Sequence, residues 1–357
     1  MNEFELIKNY FQKLTKNNPS SKKLNDDVFF DKKNKLAVSI DTYNEGVHFP
    51  NFKYPNLVIK KVLRSAISDL ICKGVKPKYY FISASGNKKS FTKKNLKLIS
   101  KSLNEEQKKY DLRLSGGDTI NSNKVSFSIT TIGFDNRIVE RNKARINDDV
   151  YVTGNIGDSY LGLKIIQKKI NVKSKLKKYF FNQYYCPHLP FNIHSSIKKI
   201  ANTSMDISDG LVSDMSKLIN KQKLSFEIDI NKIPISNMLK SYLKKHNQKK
   251  DRYLFKGDDY QILFTSSIKN RKLIKNISRK IITEFNNLYL HYKNKNYKKI
   301  IGTWKKYSHT LGKKIRAKTL PGEYVGKAIG IDNNCNLVLR LNNGKLKKIV
   351  EGDIFTV

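Results

Sequence analysis

The run Leu36-Ala-Val-Ser-Ile40, leading into Asp41, constrains the fold of this chain more than any other stretch. Side chains of a strand alternate between faces, so Leu36, Val38 and Ile40 share one side and Ala37, Ser39 and Asp41 the other. Burying the apolar side predicts that Ser39 and Asp41 are presented together at a strand end. His48 follows across a turn that contains Gly46. A hydroxyl, a carboxylate and an imidazole so placed suit the start of a Mg2+ and phosphate site. Asp41 and Asn44 could equally do no more than make a turn.

Other carboxylates stand out because they are scarce: 70 Lys and Arg face 30 Asp and Glu over 357 residues, a formal charge of +40. Such an excess raises the possibility of nucleic-acid binding. Lysine, however, is spread over almost every segment together with much Asn, Ile and Tyr, and is not gathered on one element with aromatics or Arg. A solvated basic surface is therefore the expectation, with no specific nucleic-acid partner. The length allows two domains and a small third. No apolar run approaches a membrane span and Met1-Asn-Glu-Phe-Glu5 has no leader pattern, which predicts a cytoplasmic protein. Cys72, Cys186 and Cys335 form no C-x-x-C pair, so neither a disulfide framework nor a zinc site is expected.

Along the chain, Phe4, Ile7, Phe11 and Leu14 have the spacing of an amphipathic helix over 3–14. Asp26-Asp27 is a repelling pair that suits an exposed turn or a bound cation. A helical stripe over 56–71 contains Asp69, whose carboxylate opposes the helix dipole near the C-terminal end. A strand over 79–83 and a helix ending near Tyr110 follow. Leu112-Arg-Leu-Ser-Gly-Gly-Asp118 then predicts a strand entering a glycine turn with a carboxylate at its tip. After a strand over 125–133, a second domain opens past Asp135 with Arg141 and a glycine loop, 154–157, that is neither a P-loop nor a dinucleotide fingerprint. Asp206 lies beyond capping reach of the helix after Gly210, whereas Ser208 or Asp209 could be only its N-cap. Asp258-Asp259 is a further acidic pair before a strand. Carboxylates at strand ends, in glycine turns and at helix starts suit hard oxygen ligation of Mg2+ and, through it, phosphates.

Taken in order, these motifs resemble thiamine-monophosphate kinases, relatives of aminoimidazole ribonucleotide synthetase and selenophosphate synthetase. The likeness covers about residues 3–300 and rests on Glu3-Phe-Glu-Leu-Ile, Asp26-Asp27, Ser39-Ile-Asp41-Thr, Glu45-Gly-Val-His48-Phe, Ser68-Asp69-Leu, Gly116-Gly-Asp118-Thr, Tyr151 to Asp158, Met205-Asp-Ile-Ser-Asp-Gly-Leu211 and Asp258-Asp-Tyr-Gln-Ile-Leu-Phe264. The resemblance implies α/β plus α+β architecture: an aminoimidazole-ribonucleotide-synthetase-like two-domain kinase fold with an N-terminal α/β domain (1–136) that pairs with its twin in a homodimer, and a C-terminal α+β domain (137–302). It implies transfer of the ATP γ-phosphate to thiamine monophosphate. The Mg2+ ligands would be Asp27, Ser39, Ile40 through its backbone, Asp41, Asp69, Asp118, Asp206 and Asp209. ATP would meet Tyr110, Gly117, Asp118, Arg141 and Ser208, and the acceptor would meet His48, Asp258 and Trp304. No side chain is assigned as a catalytic base. This chain departs from the family pattern at Asn25 and Ala66, where the family has Gly and Asn, and at Asp258, where it has Glu. Selenophosphate or purine-pathway chemistry is an alternative within the superfamily, although no Cys precedes Cys72. A basic nucleic-acid-binding or scaffold protein is the alternative outside it.

From Leu311 the pattern becomes short strands and tight turns, a small β-barrel signature, with Ile315, Val325, Ile329, Leu337, Leu339 and Ile354 as its apolar face. This segment (303–357) resembles the SH3-like C-terminal domain of biotin-protein ligases. The ligase's catalytic Gly-Arg-Gly-rich loop is not found in the sequence, so biotin ligation is not expected. Trp304 could belong to the kinase site, to the ligase-like linker, or to a core.

Overall fold

The structure, a computed structural model, describes residues 3–277, 301–302, 308, 310–319, 321–332, 336–350 and 353–356. Trp304 and Cys335 lie outside the described residues. The chain divides into two compact units, Met1–Arg271 and Lys272–Val357.

The first unit opens with α1 (Glu3–Leu6), continued by a π turn over Ile7–Phe11 and a 3-10 turn over Gln12–Thr15. The predicted helix is thus a series of helical turns, and Phe4, Phe11 and Leu14 of its stripe stay exposed. A five-stranded sheet follows, built from β1 (Phe29–Asp31), β2 (Leu36–Asn44), β3 (Pro77–Gly86), β4 (Arg113–Asn121) and β5 (Ser126–Phe134) in the order β1-β2-β5-β3-β4. Only β3 and β4 are parallel, as their crossover through α3 (Lys93–Tyr110) requires. Between β2 and β3 runs α2 (Pro55–Cys72). Val58, Ile59, Val62, Leu63, Ile67 and Leu70 of α2 are fully buried, because the sheet packs on one side and α3 and the second half of the unit on the others.

The face of β2 that α2 covers is the reverse of the one expected. Ala37, Ser39 and Tyr43 are buried, while Ile40 is 68% exposed. Alternation fixes which residues share a face but not which face receives the helix. Here Asp69 of α2 draws in Ser39 by a hydrogen bond. The opposite face of the sheet is left open, with Ile40, Phe81, Ile120 and Phe134 exposed on it. A second correction concerns Gly116-Gly117, which make no turn. They lie within β4, where the register slips opposite Tyr80 and Phe81. A Cβ at Gly117 would stand 1.9 Å from the Ile82 carbonyl oxygen, so only glycine lets the two strands approach here.

The second half of this unit holds a three-stranded antiparallel sheet, β6-β8-β7, from β6 (Asp149–Val152), β7 (Thr203–Asp206) and β8 (Ile262–Ser266). Around it lie α4 (Asp158–Ile166), α5 (Ser174–Tyr185), α6 (His194–Ile200), α7 (Leu211–Leu218), α8 (Asn237–Lys245) and α9 (Asp251–Leu254). Ile156, Leu161, Phe180, Met205, Leu218, Leu239 and Leu263 belong to one continuous core.

The second unit contains an antiparallel sheet in the order β12-β11-β10-β9-β13, from β9 (Lys314–Thr319), β10 (Gly322–Ile331), β11 (Leu337–Leu341), β12 (Leu346–Ile349) and β13 (Asp353–Thr356). Its core is Ile315, Ala317, Ala328, Leu339 and Ile349. Ile315 and Leu339 are as expected, but Val325 and Ile329 are only half-buried and Ile354 is exposed. β10 turns Gly326, Ala328 and Gly330 inward because it is closely approached: a Cβ at Gly326 would be 2.4 Å from the Arg340 carbonyl oxygen. The bulge between Ala328 and Gly330 bends it further.

Candidate active site

Four aspartates meet where β2, α2 and β7 converge. Asp41 comes from β2, Asp69 from the last turn of α2, Asp206 from the end of β7, and Asp27 from the loop before β1. Ser39 donates to Asp69 Oδ2 (2.5 Å), Ser68 to Asp206 Oδ2 (2.5 Å) and Tyr43 to Asp41 Oδ2 (2.9 Å). Lys73, wholly buried, reaches Asp26 Oδ1 at 2.8 Å, Asp27 Oδ2 at 2.6 Å and the Ser204 carbonyl at 2.7 Å. Arg141 stands 3.5 Å from Asp27 Oδ1 and gives its backbone N–H to Asp26 Oδ2.

These carboxylates resist sharing the space. Burial pushes Asp69 well above the usual carboxylate range, and Asp41, Asp206 and Asp27 push it further. Asp206 is raised to about 7 by burial and by Asp27, and Asp41 is raised by burial first and then by Asp27. Burial would also raise Asp27, but Lys73, Arg141 and Lys217 hold it below the usual range. The carboxylates of Asp26, Asp27, Asp41, Asp69 and Asp206 outnumber Lys73 and Arg141, which makes the site a place for further positive charge. Among the described residues no three His, Cys, Asp or Glu side chains are drawn into a single metal-holding group, each aspartate being turned to a Ser, Tyr, Lys or Arg.

The neighbouring loop 206–210 is held from below. Asp214 Oδ2 accepts the backbone N–H groups of Ser208 (2.9 Å), Asp209 (2.9 Å) and Gly210 (3.1 Å). Asp209 itself is mostly exposed and pairs with Lys217, which also reaches Asp214 at 3.1 Å. The Ser208 carbonyl accepts the Asp258 N–H at 2.9 Å, bringing Asp258 to the same region. Asp258 Oδ1 receives Lys61 Nζ at 2.5 Å. His48 lies in its field and in that of Lys61. His48 Nδ1 accepts the Asn44 N–H at 2.9 Å, which leaves Nε2 to carry the proton of the neutral ring, and burial lowers the pKa of this imidazole.

Three of the expected positions lie apart from this cluster. Asp118 and Gly117 sit on β4, three strands from β2 in the sheet, with Asp118 in the exposed row of Thr42, Ser128 and Ser83. Tyr110 is 2% exposed, packed against Phe191 and the Arg64 guanidinium, and its hydroxyl has no partner among the described residues. The Ile40 side chain points away on the open face. Sequence reading missed Lys73, Lys61, Ser68 and Asp214. Two of them carried a signal: Ser68, which stands in the Ser68-Asp69-Leu motif but was given no role, and Asp214, a carboxylate in the first turn of a helix that directly follows Met205-Asp-Ile-Ser-Asp-Gly.

Residues 25–134 match the model of the AIR synthase related protein N-terminal domain, and 310–357 that of the biotin protein ligase C-terminal domain. The thiamine-monophosphate kinase of Buchnera aphidicola subsp. Schizaphis graminum is 36% identical over 293 residues, covering 79% of this chain and 88% of that protein. The chain belongs to the thiamine-monophosphate kinase family. The Aquifex aeolicus member is 33% identical over 232 residues, 65% of this chain and 76% of its own length. Its crystal structure superposes with a TM-score of 0.67 at 30% identity, over 75% of this chain and 88% of that one. A solved structure described as AaThiL complexed with AMPPCP and TMP gives the same TM-score at 31% identity, with the same coverage. The family relationship and the superposition give the first unit an AIR-synthase-like mixed α/β fold. Among the described residues no helix is long and apolar enough to cross a membrane.

Proposed function

We propose that this chain is an ATP-dependent thiamine-phosphate kinase, which moves the γ-phosphate of ATP to thiamine monophosphate and releases thiamine diphosphate and ADP. The observation that carries the reading is the 36% identity across 79% of the chain to a thiamine-monophosphate kinase. The acceptor oxygen of a phosphate monoester is already ionised, so the reaction needs no general base; the obstacle is repulsion between two polyanions brought into line. The site accords with that demand, being rich in carboxylates and poor in candidate bases.

The donor set fits Mg2+. Asp27, Ser39, Asp41, Asp69, Asp206 and Asp209, with the Ile40 carbonyl, would hold it through hard oxygens, and a cation would relieve the crowding of carboxylates that raises Asp69 and Asp206. Bound there, Mg2+ would supply charge compensation for the phosphates of ATP and acceptor. Arg141 and Ser208 face ATP in this reading and His48 and Asp258 face the acceptor, while Tyr110 is buried against Phe191 and Arg64 and stays outside the assignment. The open sheet face with Ile40, Phe81, Ile120 and Phe134 supports a homodimer. Because Asp118 lies on that open face, with Gly117 beside it on the edge strand β4, the two would join a metal and nucleotide site through the paired copy. The end of β5 at Phe134 and the start of β9 at Lys314 support domains at 1–136, 137–302 and 303–357, and a cytoplasmic location completes the reading.

The test is direct. Purified protein supplied with ATP, Mg2+ and thiamine monophosphate is expected to form thiamine diphosphate and ADP in equal amounts. A folded preparation that yields none under conditions where a related kinase is active would sink the proposal.

A further inference from the structure

Lys61, in the first half of α2, is a lysine with a 1% exposed side chain. Its Nζ is 2.5 Å from Asp258 Oδ1, 4.1 Å from the centre of the Tyr184 ring and 5.3 Å from that of Tyr260. An ammonium removed from water is costly unless a counter-charge and other polar contacts replace its hydration. Here a carboxylate and two aromatic faces do so. The Tyr260 hydroxyl donates to the same oxygen at 3.0 Å. Asp258 Oδ1 thus has two donors, while Oδ2 has none among the described residues.

The backbone around Asp258 is equally fixed. Asp258 (φ +72°) and Tyr260 (φ +50°) both occupy the left-handed region, which non-glycine residues adopt at a cost and keep only where their surroundings impose it. The imposing contacts are the Asp258 N–H to the Ser208 carbonyl (2.9 Å) and the Tyr260 N–H to the Ile207 carbonyl (2.8 Å). Tyr184 ties in the other side, its ring under Lys61 and its hydroxyl donating to the His48 carbonyl at 3.1 Å. Lys61 is therefore the common neighbour of the segments that bring His48 and Asp258 together.

We propose that Lys61 is a positioning residue for the acceptor substrate. It commits Asp258 Oδ1 to the protein and leaves Oδ2 to accept from a donor group of bound thiamine phosphate. This rests on thiamine phosphate being the acceptor. Lys61 does not touch the substrate, so its influence passes through Asp258 and falls on acceptor binding, leaving ATP binding alone.

Calorimetric titration of the full chain with thiamine monophosphate, without ATP, tests it. Lys61→Met keeps the length of the side chain and removes the charge. It is expected to weaken binding about tenfold, the worth of one hydrogen bond to a charged group. Tyr260→Phe, which removes only the second donor to Oδ1, is expected to weaken binding about fivefold. In an Asp258→Asn background, adding Lys61→Met should change binding by less than about twofold, because the two residues act as one unit. In steady-state assays the KM for thiamine monophosphate should rise with Lys61→Met while that for ATP stays in place. Unchanged binding by folded Lys61→Met, an equal loss with and without Asp258, or a parallel rise in both KM values would overturn the positioning role. If Lys61→Met does not fold, Tyr260→Phe with and without Asp258→Asn decides by the same rule. A failure of the unaltered protein to bind thiamine monophosphate would overturn the substrate reading, and this role with it, before any substitution is made.

Discussion

Asp41 and Lys73 occupy one site yet answer different questions about it. Asp41 is partly open, held among the described residues only by Tyr43, and its charge is opposed by Asp27. Replacing it with Asn removes charge where the fold gains little from it, so stability should hold. Turnover should fall on the order of a hundredfold, since charge compensation of phosphoryl transfer is lost. Full activity of Asp41→Asn at limiting Mg2+ would reduce Asp41 to a turn-former. Lys73 is the reverse case. It is wholly buried between Asp26 and Asp27, and burial opposes its charge, but the two carboxylates hold its pKa above the ordinary lysine value. Lys73→Met strands two carboxylates and should cost about 3–5 kcal/mol of stability, read by urea unfolding. The sequence exposed one of these residues and hid the other for a single reason. Where Asp and Glu are scarce, an Asp in an unfavourable place is conspicuous, whereas one lysine among 70 basic residues is not. Lys61 escaped notice in the same way.

At the scale of elements, the loop over 206–210 shows how little backbone is needed to present the site. It lies between β7 and α7 and is held by Asp214, whose Oδ2 takes three successive backbone N–H groups. Burial raises this carboxyl to about 6, so the N–H groups and Lys217 work against desolvation to keep it charged. Asp214→Ala would leave those donors without their acceptor in a buried setting and should destabilise the protein by about 3 kcal/mol or more. Asn, which keeps one acceptor oxygen, should cost less. Urea unfolding of both variants checks the order, and equal losses would mean that packing, not hydrogen bonding, holds the loop. The elements themselves were largely legible: β2, α2, β3, α3 and β5 fall where the sequence pattern placed them, whereas the short strand β7 ending at Asp206 was not foreseen. What periodicity could not supply was the side of β2 that meets a helix, or the passage of Gly116-Gly117 through β4 as strand, with a slip of register, in place of a turn. Both depend on a neighbouring strand or helix far away in sequence.

At the scale of the whole molecule, the candidate site residues and the C-terminal sheet belong to different units. Asp27, Asp41, Asp69, Asp206, His48 and Asp258 all belong to Met1–Arg271, and so do the residues that hold them. Within Lys272–Val357, the sheet buries a core of small extent: among the described residues its cluster holds five buried apolar side chains, two of them alanines. So small a core is marginal by itself, because a short chain buries too little apolar surface to offset the ordering of its backbone. A truncation after His309 removes that sheet and keeps Trp304 and Tyr307 available as candidate acceptor contacts. It is expected to remain folded and dimeric, with turnover at saturating ATP and thiamine monophosphate equal to that of the full chain. Sedimentation and steady-state kinetics on the same preparation check this together. A soluble dimer with lost turnover would place 310–357 in the chemical step. Unchanged turnover with a raised KM for thiamine monophosphate alone would assign it to acceptor binding. Monomeric protein would make the sheet part of what holds the two copies together.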